Sequence, residues 1–204
     1  MRPTGHALLT AIFLATASGP CLAAAAPASA PAVTHYVLDA PRSSLEFTFQ
    51  QAGAQNKGKF TRFAVSFDFS PDNLAASRLE VSVEIGSLDT GDQERDDTLR
   101  SADLFAVTKF PQAHFAASQF NKTAGGYEAI GKLTIRGVTR DTRVPFTFRT
   151  ADEHGVAVGY MSGKTSIRRL DFGVGQGEWK ATDQVGNEVG VSFALRLTPT
   201  ATAH

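Results

Sequence analysis

The side chains best suited to chemistry in this chain are scattered. The chain has a single cysteine, Cys21, and its five histidines stand at His6, His35, His114, His154 and His204. No two of these histidines have the HxH or HExxH spacing that places two ring nitrogens on one metal ion. The sequence therefore predicts no transition-metal site built from neighbouring ligands.

One local cluster of carboxylates stands out, formed by Asp92, Glu94, Asp96 and Asp97. Such a cluster could bind calcium or serve as a general acid/base pair. Its spacing is not that of an EF-hand loop, however, and acidic residues are favoured in the first turn of a helix. We interpret the cluster as the start of a helix.

Two glycine-containing stretches resemble catalytic motifs without matching them. Ser162 in Gly159–Gly163 is one position too late for a GxSxG nucleophile elbow, and Gly173–Gly177 reads GxGxG where a dinucleotide site needs GxGxxG. No helix signal follows either stretch. We therefore predict no catalytic residue, no metal site and no cofactor.

The elements around these residues show a strict alternation of apolar and polar side chains. Phe47 and Phe49 alternate with polar neighbours, and the same rhythm returns in Val81–Val83 and Phe146–Phe148. A period of two places apolar side chains on one face of a strand. We predict strands over His35–Leu38, Ser44–Gln51, Gly58–Phe69, Arg78–Gly86, Ala113–Phe120, Tyr127–Ile135, Thr142–Arg149, Val156–Arg168 and Glu188–Thr198.

Many short strands with turn residues between them predict an all-β fold, a single antiparallel barrel of eight to nine strands. One segment interrupts the rhythm. Thr90 and Gln93 have capping-box spacing, which predicts a short helix inserted between two strands. The apolar residues that follow, Leu99, Leu104 and Phe105, could close one end of the barrel.

The first thirty residues have the features of a secretory signal peptide and linker. A positive start precedes an apolar run, and small residues between about positions 23 and 30 offer cleavage sites. We expect a signal peptide and linker over residues 1–30, cleaved within about positions 23–30, and a barrel domain over residues 31–204. The 20 basic residues equal the 20 acidic residues, so no basic excess indicates nucleic-acid binding.

Several ordered motifs lie along the remaining chain. The first runs from Ser87-Leu88-Asp89-Thr90-Gly91 through Leu99-Arg100 to Lys109-Phe110-Pro111, and the second is Gly131–Thr139. Together with Arg169, Asp171 and Phe172 they resemble the YceI-like family of exported lipid-binding proteins, from Tyr36 to the last strand. Many relatives have a histidine in the helix motif where this chain has Thr98, so no role of that histidine is carried over.

The resemblance implies a lipocalin-like barrel in the bacterial periplasm that holds a long apolar chain, in some members a polyisoprenoid. It also implies a membrane cytochrome as a second partner and no catalytic residues. It does not determine the oligomeric state, for which a homodimer is one alternative. The inward-facing positions predict the wall of the ligand tunnel, namely Phe47, Phe49, Phe67, Val81, Val83, Phe115, Leu133, Phe146, Phe148 and Phe193. The alternative for the same residues is a filled core without a ligand.

Three charged residues could meet a polar or phosphate head group of such a ligand: Arg100, Arg169 and Asp171. A scaffold role fits each of them equally well. We expect a periplasmic carrier for a polyisoprenoid, an isoprenoid quinone or a fatty-acyl chain. The alternatives are a structural or stress-response barrel without a ligand and an enzyme acting on a lipid-like substrate.

Overall fold

The computed structural model of the chain describes residues 32–200. The predicted signal peptide and its cleavage region lie outside the described residues. Eleven strands follow one another along the chain, as β1 Thr34–Leu38, β2 Ser44–Gln51, β3 Ala54–Phe60, β4 Phe63–Phe69, β5 Arg78–Glu84, β6 Leu88–Asp89, β7 Gln112–Thr123, β8 Gly126–Ile135, β9 Val138–Glu153, β10 Val156–Arg168 and β11 Val185–Pro199. One α-helix, α1, spans Gln93–Arg100 between β6 and β7.

Eight of the strands form a closed antiparallel barrel, in the order β1-β4-β5-β7-β8-β9-β10-β11. The ring closes where β1 pairs with the end of β11, with Tyr36 opposite Pro199. The other three strands extend the sheet, because β2 pairs with the earlier part of β11, β3 pairs with β2, and β6 pairs with β3. The predicted all-β barrel with one short inserted helix is confirmed.

The predicted strand Gly58–Phe69 is in fact two strands. It breaks at Thr61 and Arg62, and its halves β3 and β4 pair with different partners. Phe60 and Phe63 both face the barrel interior although they stand three positions apart, a spacing that one uninterrupted strand does not allow. The phase shift between these two phenylalanines was the sequence signal for the break.

The helix α1 starts later than the capping-box spacing predicted. Asp92 is the N-cap, since its Oδ1 accepts a hydrogen bond from the backbone N–H of Arg95 over 3.1 Å. Thr90, the predicted cap, instead donates from both its backbone N–H and its hydroxyl to Asp96 Oδ1, at 2.9 and 2.7 Å. Aspartate and threonine both cap helices, so spacing alone selected the wrong one.

The interior contains two clusters of buried apolar side chains. One cluster occupies the end of the barrel where β1 and β11 meet and includes Phe67, Phe69 and Leu197. The other lies near α1 and includes Phe47, Ile85 and Phe172. The barrel therefore has a closed end, packed with aromatic rings, and an opposite end that faces α1.

A group of charged side chains ties the closed end together on the outside. Arg196 on β11 bonds to Asp39 after β1 and, over 2.5 Å, to Glu153 at the end of β9. Glu153 also accepts a hydrogen bond from the hydroxyl of Tyr160. These bonds hold the pKa of Glu153 at about 2, below its usual 4.5, with Arg196 as the largest cause. The network links the first and last strands of the barrel.

Candidate functional site

A cavity of about 860 Å³ occupies the barrel between the closed end and α1. This volume lies within the range typical of small-molecule sites. The cavity reaches the surface beside Ala52 and Ala54 in the β2–β3 hairpin and beside Asp92 and Glu94 at the start of α1, all of which are exposed. Most of its wall consists of inward-facing apolar side chains from the strands.

Two of the wall phenylalanines are held against glycines on the neighbouring strand. Phe47 stands opposite Gly58, where an added Cβ would lie 2.4 Å from the ring. Phe193 stands opposite Gly163 in the same way, with a separation of 2.6 Å. Because glycine has no side chain, each ring lies over the neighbouring strand in the space that a side chain there would occupy.

The structure places seven of the ten predicted wall residues on the cavity, namely Phe47, Phe49, Val81, Val83, Phe115, Leu133 and Phe193. The other three, Phe67, Phe146 and Phe148, do not line it and lie in the closed end instead. Alternation along a strand shows which side chains point inward but not how far along the barrel axis each one lies. Ligand contact itself stays a prediction for all ten.

The closed end is a packed aromatic cluster. Phe67 is fully buried and its ring stacks on that of Phe69, with centroids 4.7 Å apart. Phe69 in turn meets Phe148 edge-on at 4.9 Å and Tyr127 at 5.0 Å. Rings in these arrangements pack densely and leave little free volume. The cluster therefore forms the floor of the cavity.

The cavity wall also contains residues that the strand pattern did not single out as ligand contacts. Leu99, Leu104 and Phe105 lie against it, where the sequence predicted an end closure. Phe60, Phe172 and Trp179 line it as well. Phe60 was out of phase with the alternation that begins at Phe63. Trp179 comes from a short 3-10 turn, Gly177–Lys180, whose position relative to the barrel no local pattern indicates.

Arg169 lies against the cavity and is only 5% exposed. Its Nε donates to the carbonyl of Gly186, its Nη1 donates to those of Val174 and Trp179, and its Nη2 donates to two further carbonyls, those of Ala181 and Val185. A guanidinium has five N–H donors, so backbone oxygens occupy all of them. Burial lowers the pKa of Arg169.

The loop around Arg169 is the glycine-rich stretch Gly173–Gly177. Gly175 has a φ of +116°, and an added Cβ there would lie 2.0 Å from Nη1 of Arg169. Only glycine both adopts that backbone conformation and lets the chain approach the guanidinium so closely. The stretch is therefore a wrapping loop, as its lack of a following helix indicated.

The other two predicted head-group residues do not line the cavity. Arg100 donates from Nη2 to the carbonyl of Leu88 over 2.7 Å and from Nε to that of Gly86, which fixes α1 to the segment before it. Asp171 pairs with Arg168 over 2.8 Å on the surface. Both contacts match the scaffold alternative for these residues.

Among the residues that the structure describes, four charged ones lie at the cavity: Asp92, Glu94, Arg95 and Arg169. Within residues 32–200, no group of three or more His, Cys, Asp or Glu side chains is arranged to hold a metal ion. In the same residues, no helix combines the length and apolar character needed to cross a membrane. The arrangement is suited to enclosing an apolar molecule with its polar end near the mouth.

Comparison with known proteins agrees with this geometry. The YceI-like domain model matches residues 36–197. A protein called UPF0312 protein YE1254, from Yersinia enterocolitica, is 37% identical over 122 residues, which is 57% of this chain and 62% of the relative. The chain thus spans about three fifths of the length of the curated relatives that it matches.

Solved structures give the same picture. BcnA of Burkholderia cenocepacia is 32% identical, with a TM-score of 0.71, and the match covers 81% of this chain and 99% of BcnA. A polyisoprenoid-binding domain from Saccharophagus degradans, implicated in plant cell wall breakdown, shares the fold at 16% identity and a TM-score of 0.59, over 82% and 99% of the two chains. With a family model that covers most of its length and a barrel of the same architecture, this chain belongs to the YceI-like domain family.

Proposed function

We propose that this protein is a periplasmic carrier that binds one long apolar lipid inside its barrel, with its chain against the phenylalanines of the wall. The observation that carries the proposal is the cavity of about 860 Å³ with a mostly apolar wall and an aromatic floor. Burying apolar surface stabilises a complex by roughly 25 cal/mol per Å², so such a ligand gains affinity without many polar contacts.

The class of ligand that we favour has an isoprenoid chain, as a polyisoprenoid or an isoprenoid quinone, with a fatty-acyl chain as the alternative. The fold is shared with a domain described as polyisoprenoid-binding, which supports this choice. Export to the periplasm is supported by the signal-like features of residues 1–30. A membrane cytochrome as a partner and a homodimer stay predictions from the family resemblance.

Binding is better supported than catalysis by the polar groups at the cavity. An enzyme of this size would place a nucleophile or a general base within reach of the enclosed substrate. The carboxylates at the cavity, Asp92 and Glu94, lie at the exposed mouth, away from the floor where the apolar chain would end. We therefore propose binding without chemical turnover.

The test is to express the full chain in a bacterium with a periplasm, recover the protein from the periplasmic fraction, and weigh it by native mass spectrometry. We expect one extra mass per chain that organic solvent removes, and rebinding of geranylgeraniol by the stripped protein. Rebinding is also visible in the emission of Trp179, the only tryptophan of the chain, which lines the cavity. A protein without extra mass that also fails to bind geranylgeraniol or palmitate would contradict the proposal.

A further inference from the structure

The first observation on ligand chemistry concerns the buried cation. Arg169 is the charged group best placed to attract an anionic head group from inside the cavity, but its five N–H groups all donate to backbone carbonyls. The negative ends of the carbonyl dipoles point at the guanidinium and offset its positive charge in every direction in which it has a donor. A phosphate entering the cavity would lose its water and find no free donor on Arg169.

The second observation concerns the other cation at the cavity. Arg95 on α1 pairs with Asp92, at 3.4 Å between Nη2 and Oδ2. Glu94 stands beside this pair at the mouth, and among the described residues it has neither an ion pair nor a side-chain hydrogen bond. Within the part of the chain that the structure describes, Arg95 and Arg169 are the arginines and lysines that line the cavity. Asp92 balances the charge of Arg95 at the mouth, and the donors of Arg169 are all occupied. His114 turns its ring to the outer face, where Nε2 meets Gln112 at 3.1 Å.

The third observation concerns the uncharged polar groups on the wall. Asn56 and Gln51 stand near the mouth, and Thr98 faces it from α1. Thr142 and Thr165 lie on β9 and β10, and each hydroxyl donates weakly to a carbonyl of its own sheet, over 3.4 and 3.3 Å. Amides and hydroxyls of this kind pair well with a hydroxyl or a carbonyl of a ligand.

From these three observations we infer that the cavity selects apolar chains with an uncharged head group and discriminates against the same chains bearing a phosphate or a carboxylate. The inference rests on the proposed carrier function and adds the chemical class of the ligand to it. A phosphate monoester carries about −1.5 to −2 charges near pH 7. It would approach the unpaired carboxylate of Glu94 at the mouth, and inside the cavity it would meet Arg169 with no donor left to bind it.

The test compares two ligands that share the same isoprenoid tail, geranylgeraniol and geranylgeranyl monophosphate. Both are measured at about pH 7.5, above the second pKa of the phosphate, and below the concentration at which either ligand aggregates. Quenching of Trp179 gives the dissociation constants, and native mass spectrometry gives the stoichiometry. We expect the alcohol to bind at least about ten-fold more tightly than the phosphate. Equal affinity, or tighter binding of the phosphate, would overturn the inference while leaving the carrier function intact. Binding of neither ligand by both methods would reject the carrier function and the inference together.

A charge substitution at the mouth sharpens the comparison. Glu94→Lys replaces the unpaired carboxylate at the mouth with a cation, and we expect it to reduce the preference for the alcohol at least about three-fold, mainly by tighter phosphate binding. The matched control is Glu80→Lys, an exposed glutamate on β5 that points away from the cavity and has no ion pair among the described residues. The control should leave the preference unchanged. A preference that responds equally to both substitutions would contradict a role for the charge at the mouth.

Discussion

Arg169 donates a hydrogen bond from Nη1 to the carbonyl oxygen of Trp179 over 2.7 Å, and both residues line the cavity. The cation thus holds in place one part of the wall that a ligand would touch. Its bonds to Val174, Ala181 and Val185 fix the rest of the loop that returns to β11. Arg169 is therefore a structural residue of the cavity.

Replacement of this guanidinium should strongly destabilise the protein. Arg169→Met leaves five backbone carbonyls without their donor in a buried site, so we expect the free energy of unfolding to fall by at least about 3 kcal/mol. Urea denaturation measures the change. Arg168→Met is the matched control, because Arg168 is exposed and, among residues 32–200, pairs only with Asp171 on the surface; it should cost less than about 1 kcal/mol. Similar losses for both variants would contradict the role assigned to Arg169.

The loop around the guanidinium should depend on one particular glycine. Gly175→Ala introduces a Cβ 2.0 Å from Nη1 of Arg169 at a φ of +116°, so we expect a loss of stability of about 2 kcal/mol or more. Gly177→Ala is the comparison, since Gly177 has a φ of +56° with open space around it, and should cost about 1 kcal/mol. Thermal unfolding of the two variants ranks them, and the reverse order would show that the contact with Arg169 is unimportant.

Filling the cavity should abolish binding without unfolding the barrel. Val81→Trp places a large ring in the open space between wall and floor, and we expect uptake of geranylgeraniol in native mass spectra to fall at least about ten-fold. Val156→Trp makes the same change at an exposed position, 46% accessible on the outer surface, and should bind normally. Full uptake by the Val81→Trp variant would place the ligand elsewhere on the protein.

The floor and the wall should respond differently to the loss of an aromatic ring. Phe67→Leu removes a ring from the closed end, and we expect the free energy of unfolding to fall by about 1–2 kcal/mol with ligand affinity unchanged. Phe193→Leu removes a ring from the wall and should weaken binding of geranylgeraniol by more than it lowers stability. Paired denaturation and fluorescence titrations measure both effects; a change of affinity in the Phe67→Leu variant would mean that the floor opens when ligand binds.

The network at the closed end should make stability sensitive to acid. The pKa of Glu153 is about 2 in the folded protein against 4.5 for an ordinary glutamate, so its ion pair with Arg196 stabilises the fold above pH 4.5. This contribution is lost as the pH falls from about 4.5 towards 2, because the unfolded chain takes up the proton first. Glu153→Gln should flatten the dependence of the urea midpoint on pH in that range, and Glu80→Gln should leave the profile of the parent protein unchanged. A steep profile in the Glu153→Gln variant would assign the acid sensitivity to other carboxylates.

The alternation of side chains predicted the fold well because it depends on local geometry alone. It identified the inward face of nearly every strand, and it placed Phe47, Phe115 and Phe193 on what became the cavity wall. It could not separate the wall from the floor, since Phe67 and Phe193 look alike in a pattern of period two. That difference depends on the position of each residue along the barrel axis.

The roles of the charged residues were less predictable for a related reason. The sequence around Arg169 does not show whether its guanidinium is free to bind a phosphate. Only the path of the loop from Val174 to Val185 shows that its donors are occupied. The alternating glycines Gly173, Gly175 and Gly177, all with positive φ, were the local sign of such a path. The residues that receive the hydrogen bonds lie up to 17 positions away, beyond the reach of local patterns.

The pairing of β1 with the end of β11 also determines the order in which the molecule can fold. Tyr36 and Pro199 are opposite each other although almost the whole barrel lies between them in the sequence, whereas β7, β8, β9 and β10 join through short turns. Local hairpins form early, and contacts between distant segments carry the largest entropic cost of loop closure. The meander β7–β10 can therefore assemble first. The second edge of β1 stays unpaired, and the barrel stays open, until β11 is in place. A chain still lacking its last strand would expose the edges of β10 and β1, so closure of the ring and protection from aggregation come in the same late step.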